Sequence, residues 1–370
     1  MKKISIIGKG TAGILSANHF AYYTDPNEVE IECYFDSNIK EQTVGEGTTV
    51  DIPKMLSTTQ GLEFNDIFKL VNGNFKTGIH YIGWGKQDFM HTFPMPNVSI
   101  HFNAVMLQDL LKERLSDRVK FIDENVNPLK LNTDHVIDCT GKPKDMSDMK
   151  VAEYIPVNSA LVFQCSWDVP RYTHTICIAH KYGWIFGIPL QDRMSFGYLY
   201  NNKINNINEI KNELYSVIDE YGFSGIDKES HFEFNNYYRK QNYFKNYTYN
   251  GNASFFLEPM EATSIATVDE INRFLYDTIF NDLNYNIANS IYDEWFAKVQ
   301  DVITIHYLAG SSYDTEFWKH AVKLAKLNWE KRSINFNILI DSVKNNKVIG
   351  NYGTWTTKSW EQNLTSLGFL

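Results

Sequence analysis

Gly8-Lys9-Gly10-Thr11-Ala12-Gly13 follows a short apolar run, Ile4 to Ile7, and precedes a stretch of helical character from Ile14 to Tyr23. Strand, glycine turn and helix in this order make a site for a pyrophosphate. The turn lets the backbone approach the phosphates, and the helix start offers N–H groups to their charge. A second run rich in β-branched and apolar residues, Val29 to Phe35, ends at Asp36, where a carboxylate can accept a hydrogen bond from an adenosine ribose hydroxyl. The plainer reading of Asp36 is a solvated loop acid. Further on, Val44-Gly45-Glu46-Gly47-Thr48-Thr49 leads into a helix around Asp51 to Leu56. A second glycine-bearing turn at a helix start suits a cofactor larger than an adenosine half, with a Thr-capped surface turn as the alternative. The regular alternation of strands and helices expected of an ordinary dehydrogenase does not continue beyond this point.

Two later stretches are more distinctive: Gly183-Trp184-Ile185-Phe186-Gly187-Ile188-Pro189, and the run from Gly251 to Ile265 that reads GNASFFLEPMEATSI. With these the chain resembles the flavin-dependent halogenases of the tryptophan-halogenase type. Gly8 to Gly13 is similar to their opening FAD turn, and Val44 to Thr48 to their second flavin-side loop, usually GEAT. The Trp184 stretch resembles WxWxIP, with Phe186 in place of the second Trp. The late run resembles the segment that one branch ends in EPLEATSI. Smaller echoes are Asn74 to Ile79 for the catalytic-lysine strand, His101-Phe102-Asn103-Ala104 for HFDA, Asp138-Cys139-Thr140-Gly141 for DCSG, and His306-Tyr307 with Asp314-Thr315 and Phe317-Trp318 for HY…DTxFW. Their order holds over roughly residues 1 to 320.

The resemblance implies FAD as cofactor, used as FADH2, with O2 and chloride, bromide or iodide. It places Lys76 and Glu261 in catalysis. FAD would be held by Gly8, Gly10, Thr11, Ala12, Gly13, Asp36, Gly45, Glu46, Gly47, Thr48, Asn252 and Ile265, and the halide by the backbone of Thr263 and Ser264. His91, Phe93, Trp184 and Phe186 would face a small aromatic substrate, and a separate flavin reductase would supply FADH2, since no second dinucleotide motif is evident. Without the resemblance these residues read otherwise. Lys76 would be a solvated strand-edge lysine, Glu261 a helix-start acid favoured by the dipole, His91 a satisfied core histidine, and Trp184 and Phe186 core aromatics of a strand. The chain departs from the family at Phe255, where glycine is usual, and in a shorter C-terminal helical part, which reads as a reduced substrate lid.

These residues sit in a chain of 370 residues that is 43% hydrophobic and 21% charged, enough to bury a substantial core. Thirty-five basic against 44 acidic residues give a net charge of −9 with no basic stripe, which argues against nucleic-acid binding. Cys33, Cys139, Cys165 and Cys177 have neither CxxC nor metal-ligand spacing and read as buried free thiols. No apolar run reaches the ~18 residues that would cross a bilayer. The expectation is a cytoplasmic protein without metal or membrane partners; a homo-oligomer is left open.

The expected fold is α/β: a glutathione-reductase-like, Rossmann-type FAD-binding domain over 1–280, a substrate β-sheet inserted at 71–100 and 151–249, and a short helical C-terminal part over 281–370. The expected function is that of a flavin-dependent halogenase making hypohalous acid, which halogenates an electron-rich indole- or phenol-like substrate through Lys76. The alternatives are an FAD-dependent aromatic monooxygenase of the same fold and a catalytically decayed flavin-binding protein.

Overall fold

The computed structural model describes residues 1–39, 47–93, 97–347 and 355–370. The chain forms two compact units built from interleaved segments: Met1–Gly73, Phe102–Val151 and Tyr237–Phe296 make the first, and Asn74–His101, Ala152–Asn236 and Ala297–Leu370 the second.

The first unit is organised by a six-stranded sheet in the order Tyr243–Phe244, Tyr247–Tyr249, His135–Asp138, Lys2–Ile7, Val29–Phe35, Lys120–Asp123. All neighbours are parallel except the terminal hairpin, with Ile4 opposite both Ile31 and His135 and Ile6 opposite Cys33 and Ile137. Ile4, Ile6, Ile31, Cys33 and Ile137 are all buried, as a sheet covered on both faces requires. The Thr11–Tyr23 helix packs against the Ala104–Arg114 and Thr263–Phe280 helices. A three-stranded sheet pairs Tyr237–Arg239 with Met149–Val151 and Phe255–Phe256. Residues 237–249, expected in the inserted sheet, therefore lie in the first unit. Tyr247–Tyr249 completes the parallel ladder beside His135–Asp138, where His135 Nε2 and Thr248 Oγ1 lie 3.1 Å apart. Apolar-aromatic composition alone does not distinguish the two sheets.

The second unit holds a seven-stranded sheet in the order Lys228–Glu233, Ser159–Ser166, Arg193–Tyr200, Gly183–Pro189, Thr175–His180, Gly78–Ile82, Phe89–Thr92. Only Gly78–Ile82 and Thr175–His180 run parallel. Leu161, Phe163, Phe196 and Tyr198 form one core with Ile210, Leu214 and Val217 of the Ile207–Glu220 helix. Asn74 to Ile79, expected as one strand, is divided between two. Asn74–Lys76 pairs with Ser99–His101, and the chain then enters the large sheet at Gly78. A Cβ on Gly78 would lie 2.4 Å from the His91 carbonyl oxygen, so this switch of partner needs glycine. The helices Glu316–Lys331, Ser333–Lys344 and Thr357–Ser366 belong to this unit. All four cysteines are free, and no helix among the described residues is long and apolar enough to cross a membrane.

Candidate functional site

The glycines of the first turn divide into two kinds. Gly8 has φ +101°, and a Cβ there would meet the Cys139 carbonyl oxygen at 2.6 Å; a Cβ on Gly13 would meet the Gly8 carbonyl oxygen at 1.8 Å. These two close the strand against the helix. Gly10 has ordinary angles, is exposed, and a Cβ there would meet nothing within 4 Å among the described residues. Gly10 caps the Thr11–Tyr23 helix without a side-chain hydrogen bond, and the first turn, with Thr11, Ala12 and Gly13, carries no acid. An open helix start of this polarity fits a pyrophosphate.

The late segment closes onto the same place. Gly251, at φ +57°, packs so tightly that a Cβ would lie 2.5 Å from Ala12 Cβ, and the Asn252 carbonyl accepts the Tyr237 hydroxyl at 2.6 Å. Gln108 was not singled out from the sequence. Its Nε2 donates to Thr11 Oγ1 at 3.0 Å, and its buried Oε1 has no hydrogen-bond partner among the described residues. Asn250, Ser16 and Asn272, also unanticipated, form a buried polar network joining the two helices and this turn. Widely separated residues of this kind carry no local pattern by which a sequence could reveal them.

Asp36 follows directly on Val29–Phe35. Its Oδ1 accepts the Asn38 backbone N–H and side-chain amide, and its Oδ2 accepts the Asn125 amide at 3.0 Å. These bonds hold its carboxyl below the ordinary range, and Oδ2, with a single donor, keeps lone-pair capacity for a ribose hydroxyl. Gly47 is half-buried and Thr48 buried; Gly45 and Glu46 lie outside the described residues.

Glu261 is not a residue of the long helix. It lies in a tight turn, Met260–Ala262, with φ +61°, followed by Ala262 at φ +53°. Two successive non-glycine residues in the left-handed region cost roughly 1–3 kcal/mol each. They set the buried Glu261 in a turn ahead of the Thr263–Phe280 helix, which begins at Thr263 without a side-chain cap. Thr263 and Ser264 thus supply the first N–H groups of an uncapped 18-residue helix, an arrangement suited to an anion. Ile265 is buried in the same turn. Phe255, in place of the family glycine, sets its ring 5.2 Å from Phe296 and is absorbed in an aromatic cluster with Tyr238 and Tyr292.

In the second unit Lys76, His91 and Phe93 come together. Lys76 is fully buried, so the solvated-edge reading of it fails. Its Nζ lies 5.5 Å from the Phe93 ring centre, and the His91 and Phe93 rings meet edge-to-face at 5.3 Å. His91 is 1% exposed. The strand that carries Lys76 also places His101 opposite Asn74, with His101 Nε2 2.8 Å from Thr175 Oγ1. Burial, and then the positive charge of Lys76, push the His101 pKa well below its ordinary value, so the imidazole is neutral.

Trp184 is fixed by packing: its ring lies 6.4 Å from Trp84 and 6.4 Å from Phe186, and Trp84 in turn meets His306, Tyr307 and Trp318. Phe186, half-buried, lies over Gly197, its cross-strand partner, where a Cβ would fall 2.1 Å from the ring. Gly197, not singled out from the sequence, makes room for this ring.

A family model described as tryptophan halogenase matches residues 3–120 and 111–370. The chain is similar to 7-chloro-L-tryptophan 6-halogenase KtzR of Kutzneria sp. (strain 744), 23% identical over 268 residues, covering 64% of this chain and 50% of that protein. It is similar to tryptophan 6-halogenase SttH of Streptomyces toxytricini, 25% identical over 270 residues, covering 64% of this chain and 49% of that protein. The chain thus spans about half the length of these curated relatives. Among solved structures, BrvH, a flavin-dependent halogenase from Brevundimonas sp. BAL3, shares the fold at a TM-score of 0.82 and 18% identity, over 100% of this chain and 90% of that one.

Proposed function

Because the chain belongs to the tryptophan halogenase family, whose members are flavin-dependent halogenases using FADH2 and halide, we propose that it halogenates a small electron-rich aromatic, indole- or phenol-like, with FADH2 delivered by a separate flavin reductase. The observation that carries this reading is the buried Lys76 against the Phe93 ring, beside His91. A wholly buried lysine is rarely kept for packing, because desolvating an ammonium is costly.

The chemistry supplied by reduced FAD when bound is the activation of O2 that turns a halide ion into hypohalous acid. In the first unit the N–H groups of Gly10, Thr11 and Ala12 hold the pyrophosphate, with Gly8 and Gly13 shaping the turn and Asp36 accepting a ribose hydroxyl. Gly45, Glu46, Gly47, Thr48, Asn252 and Ile265 serve the flavin side. The Thr263 and Ser264 N–H groups hold the halide. The Lys76 ammonium donates to the hypohalous oxygen and polarises the O–X bond, or takes the halogen as a haloamine. The ring carbon then forms its bond to halogen as the O–X or N–X bond breaks. The oxygen of the hypohalous acid takes a proton from the Lys76 ammonium and leaves as water. The ring proton passes to the Glu261 carboxylate and on to solvent, from which the lysine is reprotonated. His91 and Phe93 orient the aromatic ring, while Trp184 and Phe186 keep it from the flavin and so disfavour direct hydroxylation.

The test is mass spectrometry after incubation with a flavin reductase, NADH, FAD, bromide and a panel of tryptophan, indole and phenol. Brominated product that disappears when halide is withheld supports the reading. Hydroxylated product that is indifferent to halide would replace it with an aromatic monooxygenase, and tight FAD binding without turnover with a decayed flavoprotein.

A further inference from the structure

We propose that Gln362, on the C-terminal Thr357–Ser366 helix, is a positioning residue for the aromatic wall formed by His91 and Phe93, and so a determinant of how the aromatic substrate is oriented; the inference rests on the halogenase reading above. Among the described residues, Phe89–Thr92 is the terminal strand of the seven-stranded sheet, and one side of its backbone has no neighbouring strand there. On the inner side the Phe93 N–H donates to the Thr77 carbonyl at 2.8 Å. Because inward and outward groups alternate along an antiparallel edge, the N–H and C=O of Thr92 face outward.

Both are met by one side chain. Gln362 Oε1 accepts the Thr92 N–H at 2.8 Å, and Gln362 Nε2 donates to the Thr92 carbonyl at 3.4 Å. A single primary amide thus replaces the strand that the edge lacks. Thr92 stands between His91 and Phe93, whose side chains share the opposite face, so holding its backbone at two points fixes the Cα atoms that aim both rings. The same Phe93 ring meets the Lys76 ammonium. Gln362 is only half-buried, whereas Trp360, Asn363 and Leu364 of its helix are buried. The helix is therefore anchored without Gln362, and the amide is spent on Thr92 rather than on holding the helix. A misplacement of about 1 Å near reacting atoms costs on the order of 100-fold in rate, so a clamp on this strand reaches the chemistry without touching substrate.

Gln362→Leu keeps the bulk and removes both bonds; Gln362→Glu keeps the acceptor and sets an oxygen against the Thr92 carbonyl. In the full-length chain both are expected to speed amide hydrogen exchange in the peptide covering residues 89–93, raise KM for the aromatic roughly five- to tenfold, and spread the product over more ring positions. Flavin-driven O2 consumption and melting temperature stay within error of the wild type, which separates positioning from a general loss of structure. Unchanged exchange, or faster exchange with unchanged KM and isomer ratio, overturns the inference while leaving the halogenase reading intact. A wild-type chain that halogenates none of the panel removes that reading and the inference with it.

Discussion

The Lys76 ammonium lies 5.5 Å from the centre of the Phe93 ring, in a side chain with no exposed surface. The ring face offsets part of the desolvation, by roughly 2 kcal/mol or more in a dry site, but a methionine there would pack without that cost. The first unit contains a comparable extravagance, the left-handed pair Glu261 and Ala262 ahead of an uncapped helix. Each is easier to explain by chemistry than by folding.

Lys76→Met is therefore expected to lose halogenation by at least about 100-fold, the scale seen when a polarising donor is removed from a dry site. FAD binding and flavin-driven O2 consumption should persist, since the lysine acts after the hypohalous acid exists. Product formation followed beside an oxygen electrode checks this. Halogenation at the wild-type rate would show that Lys76 is not the group that delivers the halogen.

The two kinds of glycine in the first turn predict two kinds of mutant. Gly10→Val adds a side chain whose Cβ meets nothing within 4 Å among the described residues, so the flavin-free protein should melt within about 0.5 kcal/mol of wild type while FAD affinity drops tenfold or more. Gly13→Ala drives a Cβ into the Gly8 carbonyl and should cost about 3 kcal/mol or more of stability. Flavin-fluorescence titration and urea unfolding separate the two effects. Equal FAD affinity in Gly10→Val would place the pyrophosphate elsewhere.

Burial above all pushes the His135 pKa down to about 4, against an opposing backbone hydrogen bond at Lys245 and with a lesser lowering by the charge of Lys2. The unfolded chain, with an ordinary histidine near 6.5, then binds more protons than the folded one between those values. Stability is accordingly full above about pH 6.5 and falls as pH drops toward 4, by up to about 3 kcal/mol from this residue. His101 acts with the same sign. Urea unfolding between pH 7 and 4.5 should show a shallower decline for His135→Gln; an identical slope would mean that His135 does not titrate in this window.

What the sequence revealed and what it hid follow a physical division. The parallel strands, the glycine turn and the start of the helix at Thr263 were legible because each is a local pattern: β-branched runs, glycine spacing, and a proline-bounded turn before a long amphipathic stretch. Lys76 was legible only through the family resemblance, because its burial depends on the break at Gly78, which a lysine–glycine spacing does not announce. Residues 237–249 were misplaced because strand partners are set by tertiary packing. Gln108 on Thr11, Gly197 under Phe186 and Gln362 on Thr92 stayed hidden for the same reason: each contact joins residues with no shared local pattern.

The left-handed turn separates strain from chemistry most directly. Glycine at position 261 or 262 would adopt φ near +60° without the steric penalty of a Cβ, roughly 1–2 kcal/mol, less the greater freedom glycine regains on unfolding. Ala262→Gly should therefore raise unfolding stability by up to about 1 kcal/mol, whereas Glu261→Gly also removes a buried side chain and should show no such gain. Their activities should diverge. Ala262→Gly keeps the carboxylate and should halogenate at a rate within a few-fold of wild type, whereas Glu261→Gly removes the proposed acceptor of the ring proton and should lose about 100-fold or more. Glu261→Gln, which preserves shape, should fall with Glu261→Gly. Paired unfolding curves and product assays check both halves. If Ala262→Gly destabilises the fold, the turn stores no strain that glycine can release; if Glu261→Gly halogenates normally, the ring proton leaves by another route.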